Sequence, residues 1–390
     1  MITHLSLFLR KGIVLESKLE MTTNTDAATR NLRLDLIRVI SCVLIVCMHN
    51  TGLTSRNLQV SNVSDIIVLA IRVITRVAVP AFMGLSGYFM FFYKDRPLDY
   101  GIKNAPRYIV MLLFWGGFYW VFGFDLPTLR SIETALEVFD RTLWHLWYLK
   151  LYVVILLVFP IAQTITKDKK ITKIYAVMWF ILFSCRFTIG IAKGIFPQIQ
   201  TILELIQFPF FEYTGYVGGT LGSERPTTYM GAFIVIGAFI YLLEKRMLSD
   251  KQKRIVLFAA LGGFVTTEAA TVGLAVWKSE YMPFFEEPVE LHIVLMTMGF
   301  ILLFYIIPMD RFLQRNSLII NNLANCSLGV YIIHEFIRTL YQKSTLYSSL
   351  ESVNIILSNL VTCCLNVLIC FAVVYLIKKI VPKGVCKYFM

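Results

Sequence analysis

The sequence predicts an all-α polytopic membrane helical bundle of about ten transmembrane helices, with both termini in the cytoplasm. Hydrophobic residues make up 57% of the 390 positions, mean hydropathy is +0.67 and only 16% of residues are charged. A soluble domain does not need so apolar a composition, whereas a chain that crosses a bilayer repeatedly does. The net charge of +12 is explained by cytoplasmic loops that follow the positive-inside rule, so no nucleic acid partner is expected.

Ten apolar runs are long enough to cross the hydrocarbon core of a bilayer, which takes about 20 helical residues. They fall near residues 34–53, 65–92, 106–124, 146–166, 172–192, 228–244, 255–277, 291–309, 323–340 and 354–378. The second run is long and contains Pro80, which predicts a kink or a tilt. The segment 196–227 is interpreted as an outer loop or a re-entrant segment rather than as an eleventh span.

The basic residues predict the orientation of the bundle. With the N-terminus inside, 24 of the 37 Lys and Arg residues lie in inner segments and eight lie in outer ones. An eleventh span would move the basic cluster at residues 245–254 outside, against the positive-inside bias. Ten spans with both ends cytoplasmic is therefore the consistent topology.

The predicted domain limits follow from the same pattern. Residues 1–30 are expected to be a disordered N-terminal extension, because the first twenty contain no signal-peptide cleavage site and no run long enough to span. Met21 is an alternative start. Residues 31–380 form one membrane domain, and residues 381–390 form a basic cytoplasmic tail.

The eight cysteines lie in or beside apolar segments, and none has the spacing of a metal site. Buried cysteines behave as small hydrophobic residues. We therefore expect no structural metal and no disulfide framework.

The first predicted span carries two side chains that are costly inside a bilayer, Arg38 and His49. Eleven residues at about 100° each amount to roughly three full turns, so both side chains share one helix face, about 16 Å apart along the axis. Asp35 lies on nearly the same stripe and can pair with Arg38. A shared polar cavity is the functional hypothesis. The structural alternative is a helix-packing ion and a hydrogen-bonded core histidine.

Further polar side chains lie in the outer halves of other predicted spans, which implies a cavity that several helices share. They are Arg72, Arg76, His145, Trp147, Tyr331, His334 and Glu335. Arg72 and Arg76 can instead snorkel to the outer headgroups. His145 can instead belong to an interfacial aromatic belt.

Five segments carry a family resemblance. They are Arg33-Leu-Asp-Leu-Ile-Arg38 with His49, Val79-Pro-Ala-Phe-Met-Gly-Leu-Ser-Gly-Tyr88, His145-Leu-Trp-Tyr-Leu149, Tyr229-Met-Gly-Ala-Phe-Ile-Val-Ile-Gly237 and Ser327-Leu-Gly-Val-Tyr-Ile-Ile-His334. In this order they resemble the motifs of the acyltransferase-3 family of integral-membrane acyltransferases. The chain is similar to the stand-alone branch of that family, which includes the enterobacterial common antigen O-acetyltransferase. The family's inner R-x-x-R has no clean counterpart, because Lys103-Asn-Ala-Pro-Arg107 differs in spacing and in one residue type.

The resemblance implies an enzyme of the bacterial cytoplasmic (inner) membrane. Its reaction would move an acyl group, usually acetyl, from cytoplasmic acetyl-CoA or another acyl-CoA to a hydroxyl of a cell-surface or lipid-linked glycan. No metal is expected. The sequence does not indicate the acceptor, the acyl length or the oligomeric state.

The resemblance also suggests roles for the polar residues. Arg38, oriented by Asp35, would bind the donor phosphates together with Lys103 and Arg107. His49 would be either the general base for the acceptor hydroxyl or a nucleophile that carries the acyl group. The acceptor side would be lined by Arg72, Arg76, His145, Trp147, Tyr331 and His334.

A glycan or glycan-precursor transporter or flippase without acyl-transfer activity is the alternative function. Ten helices with polar residues near the middle of the membrane would also suit transport. The inverted repeats and interrupted helices of many transporters are not evident in the sequence. A membrane domain of a sensing or racemase system is a third, weaker alternative.

Overall fold

The computed structural model describes residues 31–56, 63–122, 144–195, 226–278, 287–342, 344, 349 and 355–390. Within these residues all regular structure is helical, which confirms the all-α class for the described part of the chain. The predicted N-terminal extension, residues 1–30, lies outside the described residues. So do residues 196–225 of the expected outer loop or re-entrant segment.

The first eight helices are α1 (Leu32–Arg56), α2 (Val63–Thr75), α3 (Ala78–Gly87), α4 (Tyr100–Phe122), α5 (Trp147–Leu157), α6 (Phe159–Lys167), α7 (Lys169–Ile195) and α8 (Pro226–Glu244). The next seven are α9 (Asp250–Glu268), α10 (Leu274–Lys278), α11 (Leu291–Ile306), α12 (Asp310–Arg315), α13 (Ser317–Gln342), α14 (Ile355–Ile380) and α15 (Lys383–Phe389). A π-helical turn, Tyr88–Phe92, extends α3, and a second, Ala269–Gly273, joins α9 to α10. The short 3-10 turn Trp144–Leu146 precedes α5.

Three helical stretches in the described residues are long and apolar enough to cross a membrane: Val63–Phe92, Asp250–Trp277 and Ile355–Ile380. A fourth is added if α5 and α6, which are bent by 70° relative to each other, form one span. Each predicted span overlaps at least one helix, so the helices lie where the apolar runs predict them. The number of ten spans and the cytoplasmic location of both termini stay predictions.

Two prolines explain the interruptions of the long apolar stretches. Pro80 has no N–H for the carbonyl of Arg76, and a turn at residues 76–77 separates α2 from α3. The kink or tilt predicted for this stretch stays a prediction. Pro160 likewise has no N–H for the carbonyl of Leu156. The bend between α5 and α6 falls at Val158, in the middle of a span that the sequence analysis treated as continuous.

Helix α1 is in contact with α2, α3, α13 and α14. Its apolar side chains Leu34, Ile37, Cys42 and Val46 are buried against these neighbours. Its polar side chains Asp35, Ser41 and Asn50 are buried as well, so they face protein, which is where polar groups are tolerated at membrane depth.

A polar network fixes the start of α1. The Asn31 side chain donates a hydrogen bond to Glu244 at the end of α8 over 2.6 Å, and Tyr305 of α11 also donates to Glu244. Arg33 pairs with Asp310 of α12 over 2.7 Å. These contacts join α1 to three other helices and set its position along its axis.

Helices α3 and α8 approach closely at a pair of glycines. A Cβ atom added at Gly87 would overlap the Phe233 carbonyl, and one added at Gly237 would lie 2.8 Å from the Tyr88 nitrogen. Small residues let membrane helices approach. Gly87 therefore has a packing role, since it lets α3 approach the backbone of α8.

We expect a Gly87→Val variant to be destabilised by about 1–3 kcal/mol or more, because the valine side chain cannot enter the α3–α8 contact without moving backbone. Gly117→Val is the matched control, since no atom lies within 4 Å of a Cβ added there. Thermal unfolding of both purified variants measures the effect. An unfolding temperature of Gly87→Val equal to that of the control would contradict the packing account.

A disulfide joins Cys47 of α1 to Cys363 of α14, with a Cα–Cα distance of 5.4 Å. The expectation that the cysteines form no disulfides is therefore wrong for this pair. The two positions are 316 residues apart in sequence, and only the packing of α14 against α1 brings them together. Linear spacing does not carry that information.

Candidate active site

One cavity of about 400 Å³ contains both unusual polar groups of α1 in its lining. Arg38 and His49 both contribute to its wall, as their eleven-residue spacing predicts. Helix α13 contributes Asn325 and, six residues later, Tyr331. The cavity therefore extends along α1 and α13, rather than lying at a single level of the bundle.

Four cations line this cavity: Arg38, Arg96, Arg107 and Lys378. We call the end of the cavity that they surround the basic mouth. The Arg38 guanidinium lies 5.3 Å from the centre of the Phe89 ring, and Arg96 donates a 3.3 Å hydrogen bond to the Phe89 carbonyl. Both cations therefore contact the same residue. Such a group of cations can bind phosphate groups through charge-assisted hydrogen bonds.

Asp35 orients Arg38, as the sequence spacing predicts. The Asp35 carboxylate is buried and accepts a 3.1 Å hydrogen bond from Nη1 of Arg38. The Arg38 side chain keeps 27% of its surface exposed. One edge of the guanidinium is thus held by protein while the group still reaches the cavity.

The predicted donor residue Lys103 does not line the cavity. Its side chain is 71% exposed and pairs with Asp99, one turn earlier and just before the start of α4. Arg107, four residues later, does reach the cavity wall. Arg96 and Lys378 were not predicted as site residues. Their signal was weak, because each lies among other basic residues, Lys94 and Lys379, at the end of an apolar stretch, where snorkelling side chains are common.

Three histidines from three different segments meet beside the cavity: His49 of α1, His145 of the 3-10 turn and His334 of α13. The ring centres of His49 and His334 are 4.8 Å apart, and those of His145 and His334 are 6.0 Å apart. His145 is only 1% exposed. The alternative placement of His145 in an interfacial aromatic belt is therefore wrong, because the ring is packed inside the protein.

The contacts of His334 define its tautomer. Its Nδ1 lies 2.7 Å from the Tyr331 carbonyl, and a carbonyl can only accept, so Nδ1 carries the proton of the neutral ring. Nε2 then presents a lone pair, and this buried atom has no hydrogen-bond partner among the described residues. An imidazole lone pair held beside His49 can accept a proton or a hydrogen bond.

Tyr331 connects two of the histidine segments. Its hydroxyl donates a 2.7 Å hydrogen bond to the His145 carbonyl, and its own carbonyl receives His334 Nδ1. The Tyr119 ring packs on His145 with centres 4.5 Å apart, while its hydroxyl bonds to the Ile332 carbonyl over 2.7 Å. The His334 imidazole is therefore held by a backbone carbonyl of α13, and Tyr331 joins the backbone of His145 to the same helix.

A buried ion pair lies next to the histidines. Glu335 and Arg338 on α13 are each 6% exposed. Nε of Arg338 donates to Oε2 of Glu335 over 2.8 Å, and Nη2 contacts Oε1. The salt bridge with Glu335 lets the Arg338 guanidinium lie inside the bundle.

His49, His334 and Glu335 are the only described residues that group as potential metal ligands, with candidate atoms within 4.8 Å of one another. Arg338 already occupies both oxygens of Glu335. A cation would have to displace that guanidinium and bind beside its positive charge. The expectation of no metal stays a prediction.

Arg72 and Arg76 do not contribute to the cavity lining. Arg76 follows the end of α2 and directs Nη1 to the Met48 sulfur, 3.4 Å away, one residue before His49. Arg72 is half-buried on α2. The structure therefore places both on the α1 side of the site without bringing them into the cavity.

Aromatic residues form the wall between the basic mouth and the histidines. Trp147, Tyr148 and Tyr331 line it, and the Tyr148 hydroxyl lies 2.8 Å from the Ser86 hydroxyl. Trp147 packs against Tyr229 with ring centres 5.6 Å apart. Of these, Trp147 and Tyr331 follow from the sequence prediction, whereas the Ser86–Tyr148 pair was not foreseen.

Residues 31–375 match the model of the Acyl_transf_3 family, described as an acyltransferase domain. The chain belongs to this acyltransferase family. The match covers most of the 390 residues and includes Arg38, the three histidines and the aromatic wall. It ends before Lys378 and before α15, so part of the basic mouth lies beyond the matched region.

No curated protein and no solved structure matches the chain significantly.

Proposed function

We propose that this protein is a membrane-embedded O-acyltransferase that moves an acetyl group from cytoplasmic acetyl-CoA to a hydroxyl of a cell-surface or lipid-linked glycan. The observation that supports this most directly is the single cavity that Arg38 and His49 share. A basic mouth suits the phosphates of the donor, and an imidazole along the same cavity suits chemistry at its thioester.

Acyl-CoA carries its phosphates at one end and its thioester at the tip of an extended pantetheine arm. Arg38, Arg96, Arg107 and Lys378 would bind the phosphates at the basic mouth. The separation of Arg38 and His49 along α1, about 16 Å, is of the length that such an arm spans. The thioester would then lie near His49.

His49 would act as general base. It takes the proton of the acceptor hydroxyl as the oxygen attacks the thioester carbonyl, and returns that proton to the sulfur as the carbon–sulfur bond breaks. An ester and free CoA thiol are formed, and His49 ends neutral. The lone pair on Nε2 of His334 lies beside the His49 ring and would accept a hydrogen bond from it. This would favour the His49 tautomer whose other ring nitrogen directs a lone pair to the acceptor.

The acceptor would bind on the side of the histidines. Trp147 and Tyr331 offer aromatic faces that suit the C–H surfaces of sugar rings, and the hydroxyls of Ser86 and Tyr148 can bond to sugar hydroxyls. Arg72 and Arg76 would act outside the cavity, on an anionic part of a lipid-linked sugar.

Incubating the purified protein with labelled acetyl-CoA and candidate lipid-linked glycans tests this function. We expect label to enter the glycan and free CoA to appear in equal amount. Transport or flipping needs no acyl donor, so glycan movement without label incorporation would support the transporter alternative instead. Label that stays on wild-type protein when no acceptor is present, but not on His49→Ala, would show His49 acting as an acyl-carrying nucleophile rather than as a base.

We expect an Arg38→Lys variant to raise the KM for acetyl-CoA about tenfold. A lysine ammonium lacks the planar set of N–H donors with which the guanidinium can bind Asp35 and a phosphate at the same time. Lys103→Ala is the control, since Lys103 is exposed and lies away from the cavity. Steady-state kinetics of both variants measure the effect. An unchanged donor KM in Arg38→Lys would count against Arg38 as a phosphate ligand.

A further inference from the structure

The chain that follows the family match returns to the cavity. Helix α14 continues to Ile380 and is followed by α15 and Met390. Lys378 and Met390 both line the cavity, although the family match ends at residue 375. The basic mouth is therefore completed by a segment that the family model does not cover.

Helix α15 is attached to one stripe of α4. Arg107, Phe114 and Trp115 lie on that stripe, because seven and eight residues are close to two helical turns. Trp115 donates a 2.6 Å hydrogen bond to the Phe389 carbonyl, and the rings of Phe114 and Phe389 are 4.4 Å apart. These contacts leave Met390 only 6% exposed, packed near Gly329 of α13.

The segment also holds one of the cations of the basic mouth. Nε of Arg107 donates a 2.6 Å hydrogen bond to the Lys387 carbonyl. A guanidinium has five N–H donors, so this contact uses one and leaves the four on the two Nη atoms for a ligand. Holding Nε by a fixed carbonyl reduces the rotamer entropy that Arg107 would lose on binding an anion.

Lys378 belongs to the same C-terminal segment and is also fixed by a backbone carbonyl. Its ammonium donates to the Asn325 carbonyl on α13, and Asn325 also lines the cavity. Two of the four cations thus depend on this segment: α15 holds Arg107, and the end of α14 carries Lys378.

We propose that the segment 378–390 contributes Lys378 and Met390 to the wall of the acyl-donor site and, through the Lys387 carbonyl, positions Arg107 for the phosphates of the CoA moiety. This inference rests on the proposed function, because it assigns a donor to the cavity. Arg107 contacts the donor, whereas Phe389 acts through Arg107 and is a positioning residue.

Binding of CoA itself to the full-length protein, measured by titration calorimetry, tests the inference without requiring turnover. We expect Phe389→Ala to weaken CoA binding about tenfold and to raise the KM for acetyl-CoA by the same factor. The kcat and the acceptor KM stay at their wild-type values. Tyr388→Ala is the matched control: it is the neighbouring aromatic residue of α15, is 40% exposed, and should bind CoA as the wild type does.

A second variant covers the case in which Phe389→Ala does not fold. Phe114→Ala removes the same ring contact from a side chain that is 45% exposed, and we expect the same tenfold loss. In an Arg107→Ala background the Phe114 change should cause no further loss, because its effect passes through Arg107. A purely structural role would add its own loss in that background.

The outcomes separate the two proposals. Wild-type protein that does not bind CoA would contradict the proposed function. Wild-type protein that binds CoA while Phe389→Ala and Phe114→Ala bind it equally well would contradict only the role of the C-terminal segment.

Discussion

A His49→Ala variant is expected to lose acyl transfer by about 10²–10⁴-fold in kcat, the usual contribution of a positioned general base. The cavity remains, and the cations of the basic mouth are untouched, so CoA binding should persist. The imidazole is the group that the geometry places along the cavity from those cations, and His334 lies against it with ring centres 4.8 Å apart. Among the described residues, these two histidines and His145 make up the imidazole cluster.

The measurement is the rate of label transfer from acetyl-CoA to glycan, with CoA affinity measured in parallel. Val43→Ala is the control: it lies on α1, is partly buried, and does not line the cavity. Loss of transfer with retained CoA affinity supports the role of His49 in the chemistry. Full transfer by His49→Ala would remove His49 from the mechanism.

An Arg338→Met variant is expected to be destabilised by about 3–5 kcal/mol, since it leaves the Glu335 carboxylate buried without its counter-ion. Both side chains are almost inaccessible, at 7% and 8% exposure, so water cannot replace the lost partner. The effect is larger than that of a surface ion pair, which contributes about 1 kcal/mol or less.

Thermal unfolding of the single and double variants tests the ion pair. Glu335→Gln combined with Arg338→Met removes both charges, and we expect it to recover most of the stability that Arg338→Met loses. A single variant as stable as the wild type, or a double variant no more stable than the single, would contradict a buried pair at this position.

The sequence predicts the features of this site that depend on local helix geometry. The spacing of Arg38 and His49 places both on one face of α1, and the structure brings both into one cavity. The i, i+3 pairing of Asp35 with Arg38 is also present. The turn that separates α2 from α3 just before Pro80 agrees with the missing N–H of proline. Each of these needs only the helical period or the covalent chemistry of one residue.

The remaining features depend on which helices pack together, and one sequence does not contain that information in readable form. Arg96 reaches the cavity from the segment between the π-helical turn after α3 and the start of α4, and Lys378 reaches it from the end of α14. The buried pair of Glu335 and Arg338 also depends on how α13 packs against its neighbours. The Cys47–Cys363 disulfide likewise needs the contact of α1 with α14.

The structure of the complex with CoA tests the central claim most directly. We expect the phosphates to contact Arg38, Arg96, Arg107 and Lys378, with the pantetheine arm along α1 and its thiol next to the His49 ring. CoA bound outside this cavity, or bound with its thiol remote from His49, would contradict the account.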